Sequence, residues 1–133
     1  MIRGSSLRYW IEQSCDYLLD PSDPLFAKVA ALFLQHQREV FGGDTGGGMY
    51  NCDTFNEMTP PSGDPGYLRD ASAAVYDPIR SEDPGGTWVM QAWLFHRNMS
   101  PFWTNDTVRW YLGGVPDTGM LILDLNSETG ALA

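Results

Sequence analysis

A single α/β domain with parallel strands is the fold that the sequence predicts, and three observations predict it. Three helix starts carry the same signal, a side chain able to cap a helix followed at once by proline: Asp23-Pro24, Asp64-Pro65 and Ser100-Pro101. Three short runs, at 49–55, 87–95 and 120–125, lie between and after those helices and read as strands. Strands separated by helices cannot be joined by hairpins, so they are expected to pair in parallel, through right-handed crossovers, with helices over the outer face. A doubly wound sheet and part of a barrel both fit this α-β-α-β-α-β order.

Each element has its own local signal. After Asp23-Pro24, residues Leu25, Phe26, Val29, Phe33 and Val40 recur at helical spacing and Gly42-Gly43 ends the pattern, which predicts a helix of about 18 residues. The glycine-rich stretch 42–48 has no lysine and precedes a strand instead of joining a strand to a helix, so a flexible insertion is expected and not a phosphate cradle. The strand at 49–55 runs into a loop rich in proline. The second helix, around 67–79, aligns Leu68, Ala71, Val75 and Ile79 on one face, and Pro78 is expected to end or bend it early. The third, around 102–112, closes at Gly113-Gly114 with Pro116 just beyond. No low-complexity linker divides the chain.

Composition narrows the function classes. The chain has 133 residues with 8 Lys+Arg against 17 Asp+Glu, a net charge of −9 that disfavours a phosphate-binding surface and hence a nucleic-acid partner. Its 43% hydrophobic and 13% aromatic content argues for a packed core over disorder. The longest apolar run, 29–34, is far short of the roughly 20 residues that span a bilayer, and no signal-peptide core follows Met1, so neither a membrane segment nor a targeting signal is read. Cys15 and Cys52 are read as two separate thiols, and no residue cluster has the spacing of a metal site. No metal or cofactor is implied. His36 reads as a solvent-facing helix residue; His96 follows an aromatic strand, and neither has a Ser or Cys motif that would make a triad. The triplets Asn98-Met99-Ser100 and Asn105-Asp106-Thr107 are glycosylation sequons, of a kind that arises readily by chance.

In parallel α/β folds the working residues collect at the carboxyl ends of the strands. The first strand ends in Asp53-Thr54-Phe55-Asn56-Glu57, two carboxylates four residues apart with an amide beside the second. Period-two alternation puts Asp53 and Glu57 on one face if the strand stays regular that far; in an acidic chain the plain alternative is a pair of solvated loop-edge acids. The second strand shifts the balance. In 87–95 a lone Gln91 interrupts a nearly continuous apolar run, and alternation gives Gln91 and Trp93 the same face. An amide for hydroxyls beside a flat apolar ring is what a sugar site needs; a core Trp with a Gln bonded to neighbouring strand groups is the structural alternative. On the third strand Asp124 shares the Met120/Ile122 face and is an inward candidate, whereas Glu128 reads as solvation of the chain end.

The string Cys52-Asp53-Thr54-Phe55-Asn56-Glu57-Met58-Thr59-Pro60-Pro61, with Tyr67-Leu68 and Gln91-Ala92-Trp93-Leu94-Phe95 downstream, resembles the alpha-N-acetylglucosaminidases, retaining glycoside hydrolases with a (β/α)8 catalytic barrel. The resemblance begins near Cys15-Asp16-Tyr17-Leu18-Leu19-Asp20-Pro21 and reaches 121–125. It implies a fragment of a TIM-type barrel, about three parallel βα units corresponding to strands four to six, with an unmatched segment at 1–13, partial catalytic barrel at 14–125 and a tail at 126–133. In such barrels an Asn-Glu pair ends the fourth strand and its Glu is the acid/base. Carried over, Glu57 is the acid/base and Asn56 its substrate-binding neighbour. Gln91 and Trp93 match a motif in the sugar pocket, and Asp53 and Asp124 match as pocket-side polar positions. The nucleophile comes from a later strand of the family that this sequence does not contain.

The implied partner is a glycan ending in alpha-linked N-acetylglucosamine, heparan-sulfate-like in animals, and the implied compartment lysosomal or secretory. Exo-hydrolysis is expected only of a complete barrel and not of this chain alone. Open barrel edges would favour self-association. Two other readings stand beside this one: a non-catalytic sugar-binding or interaction module that keeps Gln91 and Trp93, and a small doubly wound enzyme relying on Asp53 and Glu57.

Overall fold

A computed structural model describes residues 2–3, 17–42, 47–55, 58–95 and 101–124. A short antiparallel pair, β1 (Ile2–Arg3) and β2 (Tyr17–Leu18), precedes α1 (Pro24–Phe41), β3 (Met49–Asn51), α2 (Pro65–Glu82), β4 (Thr87–Gln91), a 3-10 turn (Ala92–Phe95), α3 (Asn105–Leu112) and β5 (Met120–Leu123). The order β3-β4-β5 forms an all-parallel sheet, with α2 and α3 as its crossovers. That is the parallel βα arrangement expected from the sequence.

The first two helices start where the Asp-Pro signals put them. The Asp23 carboxylate accepts the Leu25 N–H at 2.9 Å and the Asp64 carboxylate accepts the Tyr67 N–H at 3.0 Å, each with proline as the next residue. Gly42 ends α1 at φ +67°, a left-handed conformation that glycine adopts without steric cost.

Pro78 neither ends nor shortens α2, which runs four residues past it. Proline forfeits one helical rung, and the final turn is held by other means. Glu82 is ion-paired with Arg38 of α1, Gln35 donates to Glu82 at 2.9 Å, and the Asp83 N–H donates to the Ile79 carbonyl at 2.8 Å. The third start differs more. Ser100 lies outside the described residues, and the helix begins at Asn105 behind Thr104, whose side chain and that of Thr107 satisfy each other's backbone N–H groups in a capping box. Gly113 has an ordinary right-handed conformation, and the second glycine is needed for packing: a Cβ on Gly114 would lie 2.1 Å from both the Arg69 carbonyl and Ser72 Oγ of α2.

The core lies between the helices and one face of the sheet. Leu68, Ala71, Val75, Tyr76 and Ile79 of α2 pack with Trp88 and Met90 of β4 and Tyr111 of α3. Strand β4 is central, and Val89 is buried on its other face as well, as a parallel sheet requires. The outer strands are barer: Met49, Leu121, Ile122 and Leu123 are exposed. On α1 the apolar stripe that marks the helix in the sequence stays largely in solvent. Leu34 is buried and Phe26 half-buried, but Leu25, Val29, Phe33 and Val40 are exposed, because only one flank of α1 meets α2.

Candidate active site

The carboxyl end of β3 is fastened to the core residue by residue. Beyond Asn51 the chain keeps to β4 for another rung, where the Cys52 N–H donates to the Val89 carbonyl at 3.2 Å. The Cys52 carbonyl accepts the indole N–H of the fully buried Trp88 at 2.7 Å. Asp53 then supplies the next rung with its side chain, Oδ1 accepting the Gln91 N–H at 3.0 Å. Thr54 Oγ1 is hydrogen-bonded to the Tyr111 hydroxyl, and Phe55 turns inward, its ring edge-on to Tyr111 at 6.2 Å. Phe55 holds φ +57°, a conformation that costs a bulky residue about 1–3 kcal/mol. Its neighbours' anchors and its own burial sustain it.

An aromatic layer backs this turn. Phe55, Trp88, Phe95 and Trp103 all meet the Tyr111 ring edge-on, at centroid distances from 5.4 to 6.3 Å. Burial pushes the Tyr111 phenol far above its ordinary range, so its hydroxyl stays neutral and keeps its hydrogen.

Asp53 and Gln91 are thus brought together, although not by the alternation expected. Strand β3 stops two residues before Asp53, and the left-handed Phe55 breaks any period-two relation between Asp53 and the residues beyond the turn. Strand β4 stops at Gln91, and Trp93 belongs to the 3-10 turn, so the two do not share a strand face; both are half-buried at the same carboxyl edge. Registry pairs Met120 with Trp88 and Ile122 with Met90, the helix-packed face, while Leu121 and Leu123 stand beside Val89 and Gln91. The face grouped with Asp124 is therefore the helix side, and Asp124 itself follows the last strand residue, exposed. Asn56, Glu57, Cys15, His96, Asn98 and Glu128 lie outside the described residues. Cys52 carries a free thiol, and among the described residues no cluster of His, Cys, Asp and Glu could hold a metal.

The alpha-N-acetylglucosaminidase (NAGLU) tim-barrel domain model matches residues 2–132. Human alpha-N-acetylglucosaminidase is 42% identical over 126 residues, 95% of this chain. This chain belongs to the alpha-N-acetylglucosaminidase family. It spans 16% of the length of the human relative, and its open parallel sheet with helices on one face is part of a TIM barrel. In TIM barrels the active site forms at the carboxyl ends of the strands, and Asp53, Gln91 and Trp93 stand just at or beyond the carboxyl ends of β3 and β4.

One group at this rim had no signal in the sequence beyond its part in the family string. Tyr67, in the first turn of α2, has a buried hydroxyl with no hydrogen-bond partner among the described residues. Burial, and secondarily the charge of Asp20, pushes its phenol up. An unpaired buried hydroxyl costs about 1–3 kcal/mol, so Tyr67→Phe is expected to raise stability by about 1 kcal/mol in a urea titration. A destabilised variant would mean that the hydroxyl has a partner after all.

Proposed function

We propose that this chain carries the acid/base carboxyl and part of the sugar pocket of a retaining alpha-N-acetylglucosaminidase, which removes terminal alpha-linked N-acetylglucosamine from glycans. The observation that carries the reading is the identity with human alpha-N-acetylglucosaminidase across 95% of the chain, a span that includes the Asp-Thr-Phe-Asn-Glu string. Glu57 protonates the leaving glycosidic oxygen and then, as a base, activates the water that releases the sugar. Asn56 binds the substrate beside it. Gln91 offers its amide to sugar hydroxyls, Trp93 offers a ring for stacking, and Asp53 and Asp124 line the rim. Retaining chemistry needs a second carboxylate roughly 5–5.5 Å from the first, supplied by a strand beyond this sequence. Heparan-sulfate-like glycans and a lysosomal or secretory compartment complete the reading. The exposed apolar residues of α1, β3 and β5 also suit contact with further barrel units or with another copy of the chain.

The chain alone is expected to release no chromophore from an aryl alpha-N-acetylglucosaminide. Titration with N-acetylglucosamine is expected to give a saturable change in Trp fluorescence that Gln91→Ala or Trp93→Ala weakens at least tenfold, since a lost sugar hydrogen bond or stack is worth about 1.4 kcal/mol or more. Binding without turnover also suits a sugar-binding module. Release by the unaided chain, abolished by Glu57→Gln, would overturn the dependence on a second carboxylate, and binding indifferent to both Ala variants would remove Gln91 and Trp93 from the pocket.

A further inference from the structure

We propose that Asp53 is a positioning residue for Gln91: its side chain replaces a missing strand rung and fixes the backbone that carries the Gln91 amide. The inference rests on the reading of Gln91 as a sugar-binding residue and names the group that holds it in place. Backbone groups along a strand point alternately to its two neighbours. On β4 the Trp88 N–H donates to the Gly119 carbonyl at 2.9 Å, on the β5 side, whereas the Thr87 N–H donates to the Gly48 carbonyl at 2.9 Å, on the β3 side. Four residues on from Thr87, the Gln91 N–H therefore faces β3 as well, and a regular parallel ladder would offer it the Cys52 carbonyl. That carbonyl instead accepts the Trp88 indole N–H at 2.7 Å, one residue beyond the end of β3. Asp53 Oδ1 accepts the Gln91 N–H at 3.0 Å in its place.

Gln91 is where β4 stops and the 3-10 turn Ala92–Phe95 begins. The far end of that turn is held by burial of Leu94 and by the Phe95 ring, edge-on to Trp103 at 5.1 Å. Its near end is held on one flank by the register of Gln91 with Leu123 of β5 and on the other by Asp53. Without the Asp53 acceptor the β3 flank of Gln91 has no rung, and the last residue of β4 is free to rotate away from the sheet. A group that recognises a hydroxyl works only within about 0.5 Å and 10–20° of its productive geometry, so a rung at this residue bears on the side chain that it carries. A residue that touched the sugar itself would act independently of Gln91; a residue that positions Gln91 acts only while the Gln91 amide is there.

The test compares the full chain with Asp53→Ala, Asp53→Asn, Gln91→Ala and the double variant Asp53→Ala/Gln91→Ala, by N-acetylglucosamine titration followed through Trp fluorescence and by amide hydrogen exchange. Asp53→Ala is expected to weaken binding about tenfold, Asp53→Asn, which keeps an acceptor, to recover most of that loss, and the double variant to bind no more weakly than Gln91→Ala. Exchange at the Gln91 amide is expected to rise about tenfold in Asp53→Ala, with the Trp88 amide unchanged. Parental binding by Asp53→Ala would overturn this proposal alone. A further tenfold loss in the double variant would make Asp53 a sugar contact in its own right, and a uniform rise in exchange would make it a support of the whole fold; either overturns the positioning role. A parent chain that does not bind the sugar at all removes Gln91 from the pocket and this inference with it. If Asp53→Ala does not fold, Asp53→Leu, which keeps the bulk without an acceptor, is judged by the same readings.

Discussion

Exchanging the matching stretch of human alpha-N-acetylglucosaminidase for this chain is expected to yield a working hydrolase that loses about 10²–10⁴-fold in kcat/KM when Glu57 becomes Gln. The isosteric amide keeps the volume and can still donate a hydrogen bond, but it cannot deliver a proton to the leaving oxygen or take one from the attacking water. The loss should depend on the aglycone. A nitrophenolate leaves with little help, so its loss in the glycosylation step is smaller than that of an alkyl or sugar aglycone, whose departure depends on protonation. Asp53→Asn provides the contrast. Asp53 Oδ1 accepts the Gln91 N–H, an amide oxygen can still accept it though less strongly, and this variant is expected to keep most of the activity. Glu57→Gln within threefold of the parent chimera would refute the acid/base assignment, and a larger loss in Asp53→Asn would transfer that role to Asp53.

The parts of the fold that were legible in the sequence are those set by local chemistry. Asp23-Pro24 and Asp64-Pro65 mark their helices because cap and proline act within one turn, and the order of runs sufficed for the parallel sheet. Strand ends were not legible. The run 87–95 remains apolar past the true end at Gln91, 49–55 carries no glycine or proline to mark the end at Asn51, and what stops them is tertiary: the inward turn of Phe55 against Tyr111 and the 3-10 turn after Gln91. The same holds for α1, whose stripe looks like a core face because periodicity reports amphipathicity without naming the surface that covers it. At the site, residue types were readable and anchors were not. Nothing in Asp53 or Thr54 announces that the first bonds a strand backbone and the second a tyrosine on a distant helix.

Acidification is expected to destabilise the chain through a carboxylate at the opposite end of the sheet from the candidate site. Asp83, just after α2, is fully buried and accepts the Gly48 N–H at 2.8 Å, the Tyr50 hydroxyl at 3.0 Å and the Gly85 N–H at 3.1 Å. Gly48 belongs to the stretch 42–48 that the sequence suggests is a flexible insertion; here Gly47 at φ +105° comes so near Gly85 that a Cβ on it would lie 3.1 Å from the Gly85 carbonyl. The Gly48 N–H above all, then the Tyr50 hydroxyl and the Gly85 N–H, hold the Asp83 carboxyl below the ordinary carboxylate range against the opposing effect of burial. A folded pKa below the unfolded one means that the stabilisation is complete at neutral pH, begins to fade as pH falls through the unfolded value near 4 and is gone once the folded value is passed. Asp83→Ala leaves three donors without their acceptor, a loss of at least about 3 kcal/mol at pH 7 in urea unfolding, because bonds to charged groups count for about 1.5–3 kcal/mol each and three that share one carboxylate do not add in full. Asp83→Asn removes the charge, so the difference between parent and variant should shrink between pH 5 and pH 3. A difference that stays constant across that range would show that the pH dependence arises from other carboxylates.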